Sequence, residues 1–336
     1  MRVIGRCIGG LAIATALLSC LLSCLLSWVA SAAAESSAES WPQRTVRIIV
    51  PIGSGSTTDI AARLFADRLA DRWKQAVIVE NRPGADGQIG VTAFVGMHDD
   101  HALLYSFGAP LTVLPLVREK LPYDPERDLV PIAAGTHTFG TVSVATSLNV
   151  GSLAELVALA RSTPGKLNCF ASAGAFTYLL AGFLQSAGVD MVPVAYREQN
   201  LALQDHGEGR IHVVLSAITN ALPLVQAGKV RFVAVTNDRR APALPEVPTV
   251  AEAGYPELAF EGFAGFFGSR GLLTELRDRI AADIRAVAAD PGLIDRLAAV
   301  GQLARGTTPA EFSAMMEEQR AKMASIVKSL GARPQR

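Results

Sequence analysis

The sequence is short of cysteine, of charge imbalance and of catalytic motifs, and each shortage removes a class of function. Of four cysteines in 336 residues, Cys7, Cys20 and Cys24 fall inside the first apolar run. Cys169 is the one cysteine beyond it, so no internal disulfide staples the rest, and the fold must be held by its core. Lys plus Arg and Asp plus Glu each number 31; a nucleic-acid partner calls for a strong basic excess instead. Gly53-x-Gly55-x-x-Thr58 lacks the third glycine of a dinucleotide fingerprint, and no Gly-Lys-Ser/Thr phosphate loop follows. No Gly-x-Ser-x-Gly elbow supplies a serine nucleophile. Cys169 lies in an apolar strand pattern with no histidine beside it and reads as a core thiol. The histidines, His98, His101, His137, His206 and His212, are scattered, and Asp99-Asp100-His101 fits no metal-ligand spacing and reads as a solvated loop. No enzyme, cofactor or metal site is expected. No repeat of 20–50 residues and no low-complexity linker is visible.

What is present begins with a leader. Arg2 and Arg6 precede an uncharged apolar run from Cys7 to Ala30, then Ser31-Ala32-Ala33-Ala34 before Glu35. That order is a secretory signal peptide over residues 1–34, cut at its small-residue site. The run exceeds the usual 7–15 residues, so left uncut it would be long enough to span a bilayer. Leu17-Leu18-Ser19-Cys20 and Leu21-Leu22-Ser23-Cys24 are tandem tetrapeptides resembling a lipoprotein cleavage box. The plainer reading is a repeat-prone apolar segment; acylation at Cys20 or Cys24 would instead tether the protein by lipid. Removing the leader takes two arginines and no acids, leaving a formal charge of about −2 on about 300 residues. A chain of that length supplies one large core or two lobes.

Beyond the leader, β-branched runs alternate with amphipathic segments. Val46–Val50, Val77–Val79 and Leu103–Tyr105 read as strands, and Asp59–Trp73 as a helix with its stripe through Ile60, Leu64, Phe65 and Leu69. Later strands are expected at Thr141–Ala145, Leu167–Ala171, Met191–Ala195, Ile211–Leu215 and Val230–Val235. This alternation implies α/β layers with largely parallel sheets. Ser152-x-x-Glu155, Thr249-x-x-Glu252 and Thr308-x-x-Glu311 read as capping boxes. From Leu272 to about Val327 the pattern is helical with no strand signal. Two lobes without a linker would be joined by crossing strands, expected near Thr141–Thr146 and Val233–Asn237.

Three strand-to-helix junctions share one design. They are Pro51-Ile52-Gly53-Ser54-Gly55-Ser56-Thr57-Thr58-Asp59, Pro83-Gly84-Ala85-Asp86-Gly87-Gln88-Ile89-Gly90, and Ala171-Ser172-Ala173-Gly174-Ala175. Small residues let the backbone approach a ligand with N–H groups pointing inward, and a helix N-terminus adds partial positive charge. Such junctions hold an anion without a basic side chain, at the strand ends where open sheets bind ligands.

Six ordered blocks carry a resemblance across roughly Trp41 to Val327. They are Trp41-Pro42-x-Arg44-x-Val46 through Pro51; Glu80-Asn81-Arg82-Pro83-Gly84-Ala85-x-Gly87-x-x-Gly90; Tyr123-Asp124-Pro125-x-x-Asp128; Ala227-Gly228-Lys229-x-Arg231; Ala234-Val235-Thr236; and Leu244-Pro245-x-Val247-Pro248-Thr249-x-x-Glu252-x-Gly254-Tyr255. Together they resemble the substrate-binding proteins of tripartite tricarboxylate transporters, the Bug family. The resemblance implies a type II periplasmic-binding-protein fold, with two α/β lobes joined by crossing strands and a ligand cleft between them. The lobes would be residues 41–141 plus 240–336, and 142–239. It further implies a monomeric periplasmic receptor that captures a small carboxylate for two integral membrane subunits; the alternative is a carboxylate sensor feeding a signalling partner. The carried-over ligand-binding residues are Ser54, Gly55, Ser56, Thr57, Asp59, Gly84, Ala85, Asp86, Gly87, Ser172, Ala173, Gly174, Ala175, Tyr196 and Arg197. Two departures stand out. Asp86 replaces the family's usual glycine and would oppose an anion, and Ala175-Phe176-Thr177-Tyr178 make the far end of the pocket more apolar or aromatic. The ligand is therefore expected to carry a sizeable apolar body, with Arg197 available to a second carboxylate.

Overall fold

A computed structural model describes residues 41–331 apart from 173 and 197. The leader, with Cys20 and Cys24, and the expected ligand residues Ala173 and Arg197 lie outside the described residues.

Strand β1 (Val46–Val50) pairs in parallel with β2 (Val77–Asn81) and β3 (Ala102–Phe107). Helices α1 (Thr57–Trp73) and α2 (Gln88–Val95) make the crossovers. Successive β1 side chains enter different cores: Ile48 and Val50 pack with Phe65 and Leu69, and Ile49 packs with Phe94 and Leu104. A strand covered on both faces needs apolar residues at every position, which is why Val46–Val50 is a nearly continuous run.

The two lobes share one strand. β4 (Leu129–Ala145) runs for 17 residues, far beyond the expected Thr141–Ala145. From Leu129 to Phe139 it pairs with β9 (Glu261–Ser269), which lies against β3. From Gly140 onward it pairs with β7 (Val213–Ala217) and β8 (Val230–Val235). β7 continues in parallel to β5 (Asn168–Ala171), and β5 to the short edge strand β6 (Val192–Pro193). Gly140 stands at the switch because a Cβ there would lie 2.4 Å from Thr236 Oγ1 and 2.7 Å from the Phe176 ring.

The return crossing is made by Thr236 and Phe260. The Phe260 N–H donates to the Thr236 carbonyl at 2.7 Å, and Thr236 Oγ1 donates back to the Phe260 carbonyl at 2.8 Å. The segment after β8 was expected in the first lobe from Arg240 onward. Leu244 and Val247 pack with Ile218 and Phe232, and Val250 and Leu258 join the core around β5 and β7.

Helices α1, α10 (Thr274–Ala288) and α11 (Pro291–Ala299) cover one face of the first lobe. The last helix, α12 (Pro309–Ser329), spans both lobes: Phe312 and Met316 pack in the first, Met323 and Ile326 against the second. At 1.5 Å per residue its 21 residues reach about 30 Å, enough for the span. The strand-free tail expected after Leu272 also contains β10 (Gln302–Ala304), which is too short to show a period and pairs with β4. Thr308 and Glu311 form a full reciprocal box on α12. Ser152 caps α6 (Leu153–Ser162), while Glu155 reaches Gly151 instead of Ser152. Thr249 and Glu252 also cap each other, but over a turn, not an α-helix. Among the described residues no helix is long and apolar enough to cross a membrane.

Candidate functional site

The first Gly-rich loop is organised by Asp59. Ser56 caps α1 by accepting the Asp59 N–H at 3.2 Å. The Asp59 carboxylate, 2 % exposed, accepts from the Gly55 N–H at 2.8 Å, Arg63 Nε at 3.1 Å and Asn81 Nδ2 at 2.8 Å. Burial alone would raise its pKa, but these hydrogen bonds outweigh it and hold the carboxyl below its ordinary value. Asp59 thus shapes the loop, keeping Gly55 at φ 82°, and its oxygens are taken up inside the fold. Ser54 and Gly55 are exposed, Ser56 and Thr57 half-buried.

The second loop runs through four consecutive positive-φ residues: Gly84 at 125°, Ala85 at 48°, Asp86 at 54° and Gly87 at 92°. Its glycines have separate causes. A Cβ on Gly84 would meet Ile89 Cδ1 at 2.6 Å, and one on Gly87 would meet Pro110 Cγ at 3.1 Å. Gly90 has no room because Pro51 Cα and the Arg82 carbonyl would each lie 2.7 Å from its Cβ. The loop is thereby pressed against the end of β1.

A third junction in this lobe was not singled out from sequence. β3 ends at Phe107, and Gly108 opens the short helix α3 (Ala109–Thr112). Tyr123 Oη donates to the Pro110 carbonyl at 2.7 Å and fixes this turn. Asp124 and Asp128 then brace Tyr123: Asp128 accepts the Asp124 N–H at 2.9 Å while Asp124 caps α5 (Pro125–Asp128).

In the second lobe, Ser172 Oγ donates to Gln199 Oε1 at 2.6 Å, and Gly174 at φ 85° leads into α7 (Ala175–Ser186). Gly174 approaches the first lobe so closely that a Cβ would lie 3.0 Å from Ala109 Cβ. Phe176 meets Phe260 edge to face at 5.7 Å between ring centres. The lobes are in contact along this line.

Between them lies an inner cavity of about 140 Å³ lined by Thr58, Phe107 to Ala109, Thr138, Ala175, Phe176, Phe260, Gly262, Phe263, Ala264 and Gln319. None of these carries a charge. The first turns of α1 and α7 both reach it, as does the Gly108-Ala109 turn, so helix-terminal N–H groups are the donors available to an anion there. An outer space of about 220 Å³ adjoins it, with Asp86, Arg118, Gly174 and Tyr178 in its wall. Asp86 belongs to this outer space, so it does not face the inner cavity.

The expected clamp is thus divided. Ala175 lines the inner cavity, Asp86 and Gly174 the outer space, and Gly87 packs against Pro110 and Phe107 of the neighbouring turn, while Gly84 faces Ile89, and Ser54 to Thr57 and Ser172 line neither space. Tyr196 lines neither; it borders a separate hollow beside β5 and α7, with its hydroxyl donating to Asp205 at 2.5 Å. Phe107, Gly108, Phe260, Phe263 and Gln319 were missed. The Phe107-Gly108-Ala109-Pro110 turn was legible as a fourth strand–helix junction. Nothing local marks the other three.

Elsewhere, Asp99, Asp100 and His101 bring one ligand atom each within 4.8 Å. These atoms are engaged: Asp99 pairs with Arg44 and Arg47, and His101 Nδ1 with Asp100. His101 is 6 % exposed and accepts the Gln43 N–H, tying the first residues to β3, while Asp100 is exposed as a solvated loop would have it. Cys169 is fully buried, and burial pushes its thiol up to about 12.

Residues 61–332 match the family described as tripartite tricarboxylate transporter family receptor. A UPF0065 protein of Bordetella bronchiseptica is 30% identical over 303 residues, covering 88% of both chains. Among solved structures, Rpa4515 of R. palustris with adipate is 29% identical with a TM-score of 0.77, over 88% of this chain and 100% of that one. MatC of Rhodopseudomonas palustris with bound malate is 26% identical with a TM-score of 0.71, over 85% of this chain and 100% of that one.

Proposed function

The chain belongs to the tripartite tricarboxylate transporter receptor family, and on that premise we propose that it captures a small carboxylate between its lobes for such a transporter. The observation that carries this reading is the inner cavity, where the first turns of α1 and α7 meet in a space with no charged wall. A carboxylate at its mouth would be held by backbone N–H groups, as anions are at helix N-termini. The ring-lined interior would receive the rest of the ligand. Adipate and malate, named in the related structures, are likewise small carboxylates.

Loops from both lobes are needed to complete the site, so ligand binding favours the closed arrangement and closure becomes the signal. The reading places the protein in the periplasm as a monomer, exported by residues 1–34, with two integral membrane subunits engaging the closed form. It treats the segments before Gly140 and after Phe260 as one closing body and the intervening chain as the other. Ser54 to Thr57 would donate to the carboxylate, with Asp59 as the residue that positions them.

The test is a thermal-shift and calorimetric screen of residues 35–336 against adipate, malate and benzoate. At 100-fold over Kd a ligand adds about 2.7 kcal/mol of stability. A folded protein that none of a broad carboxylate set stabilises would overturn the reading. Mass spectrometry of the exported protein separates a start at Glu35 from a lipid-bearing Cys20 or Cys24.

A further inference from the structure

One polar group in the inner cavity has no use within the fold. Gln319, on α12, is 8 % exposed, and its Oε1 has no hydrogen-bond partner among the described residues. Its Nε2 donates to the Glu261 carbonyl. A carbonyl can only accept, so the nitrogen faces Glu261 and the oxygen is the atom left unpaired, on a side chain that lines the cavity. There it lies beside Gly108, whose missing Cβ would be 3.3 Å from Oε1. The other polar side chain on that side, Thr138, is already joined to Gln302. Buried acceptors are paired in nearly all folded proteins, and an orphan in a binding cavity marks a place for a ligand donor.

The rest of the wall sets the shape of that ligand. Phe107, Phe176, Phe260 and Phe263 surround a cavity of about 140 Å³, and an apolar cavity of about 150 Å³ accepts benzene. Among the described residues no side chain lining the inner cavity could neutralise a second carboxylate there, and a desolvated anion without a partner is strongly disfavoured. Resting on the carboxylate-receptor reading, we infer that Gln319 selects a monocarboxylate with a ring-sized apolar body bearing a hydroxyl donor, whose hydrogen Gln319 Oε1 accepts. Sites that hydrogen-bond a ligand hydroxyl reject the analogue lacking it far more sharply than apolar walls reject a missing methylene.

The experiment is calorimetry on residues 35–336 with benzoate, 3-hydroxybenzoate, 4-hydroxybenzoate and terephthalate, on the wild type and Gln319→Met. The wild type should bind one hydroxybenzoate at least about tenfold tighter than benzoate, the loss expected for an unpaired buried acceptor, and terephthalate weakest. In Gln319→Met the hydroxybenzoate-to-benzoate ratio should fall within about threefold. Equal wild-type affinities for benzoate and both hydroxybenzoates would overturn the inference without any variant, as would a ratio that survives in Gln319→Met or terephthalate binding tightest. If adipate or malate binds but none of the ring compounds does, the ring-sized body is wrong while the receptor reading stands. If no carboxylate binds at all, both fall together.

Discussion

Asn81 donates to Asp59 at 2.8 Å, tying the end of β2 to the first turn of α1. Through that bond the two Gly-rich loops of the first lobe hold a common shape, since the same carboxylate also accepts the Gly55 N–H. Asp59→Ala removes the hub and leaves Asn81 and Gly55 donors without their acceptor. Hydrogen bonds to a charged group contribute about 1.5–3 kcal/mol, so a loss in that range is expected in urea unfolding. Carboxylate affinity should fall at least about tenfold by calorimetry, because the loop loses its ordered donors.

Gly90 and Gly53 make a matched pair of tests. Gly90→Ala drives a methyl to within 2.7 Å of Pro51 Cα and the Arg82 carbonyl, both backbone atoms that cannot swing away. Overpacking of that kind costs about 1–3 kcal/mol. Gly53 has nothing within 4 Å of its Cβ position and no positive φ, so Gly53→Ala should change stability by no more than about 0.5 kcal/mol. Equal effects at the two positions would contradict the packing of loop two against β1.

Acid should release the brace behind the Gly108 turn. The hydrogen bond from Arg127, then the Asp124 N–H, lower the Asp128 pKa from 3.8 to about 2. A depressed folded-state pKa contributes stability above the unfolded value, and the contribution is lost as pH falls through the folded one. Asp128→Asn should therefore be less stable than wild type at pH 7, with the gap closing between about pH 4 and pH 2. Chemical unfolding at stepped pH measures it; a gap constant across that window would rule out the assignment.

Cys169 should be chemically silent while the protein is folded. Its thiol is fully buried and pushed up to about 12 by that burial, so at pH 8 almost no thiolate is present. Chain starting at Glu35 should give no reaction with a thiol-specific disulfide reagent natively and one thiol per chain in denaturant. Rapid native labelling would show that β5 opens.

The local signals were strong where one element could specify itself. Val46–Val50 announces a strand, Ser152 and Thr308 announce helix starts, and Gly84 and Gly87 announce backbone that only glycine adopts cheaply. Charge balance and cysteine count likewise follow from composition alone. Gly90 was marked by its motif, but the reason for it, contact with Pro51, required the fold. The long β4 was read only at its end, because His137 and Thr138 interrupt the apolar pattern with side chains whose partners lie more than a hundred residues away: Gln302 for Thr138, Glu261 for His137. The packing of the excursion after β8 on Ile218 and Phe232 was not legible, since hydrophobic residues such as Leu244 and Val247 do not state which core receives them. That Tyr196 borders a separate hollow while Gln319 lines the inner cavity was hidden for the same reason. Strand and helix type and the glycine-rich turns are set by neighbours in sequence. Which side chains close the cavity is set by β4, β9 and α12 passing between lobes, a long-range packing choice that no short window of residues contains.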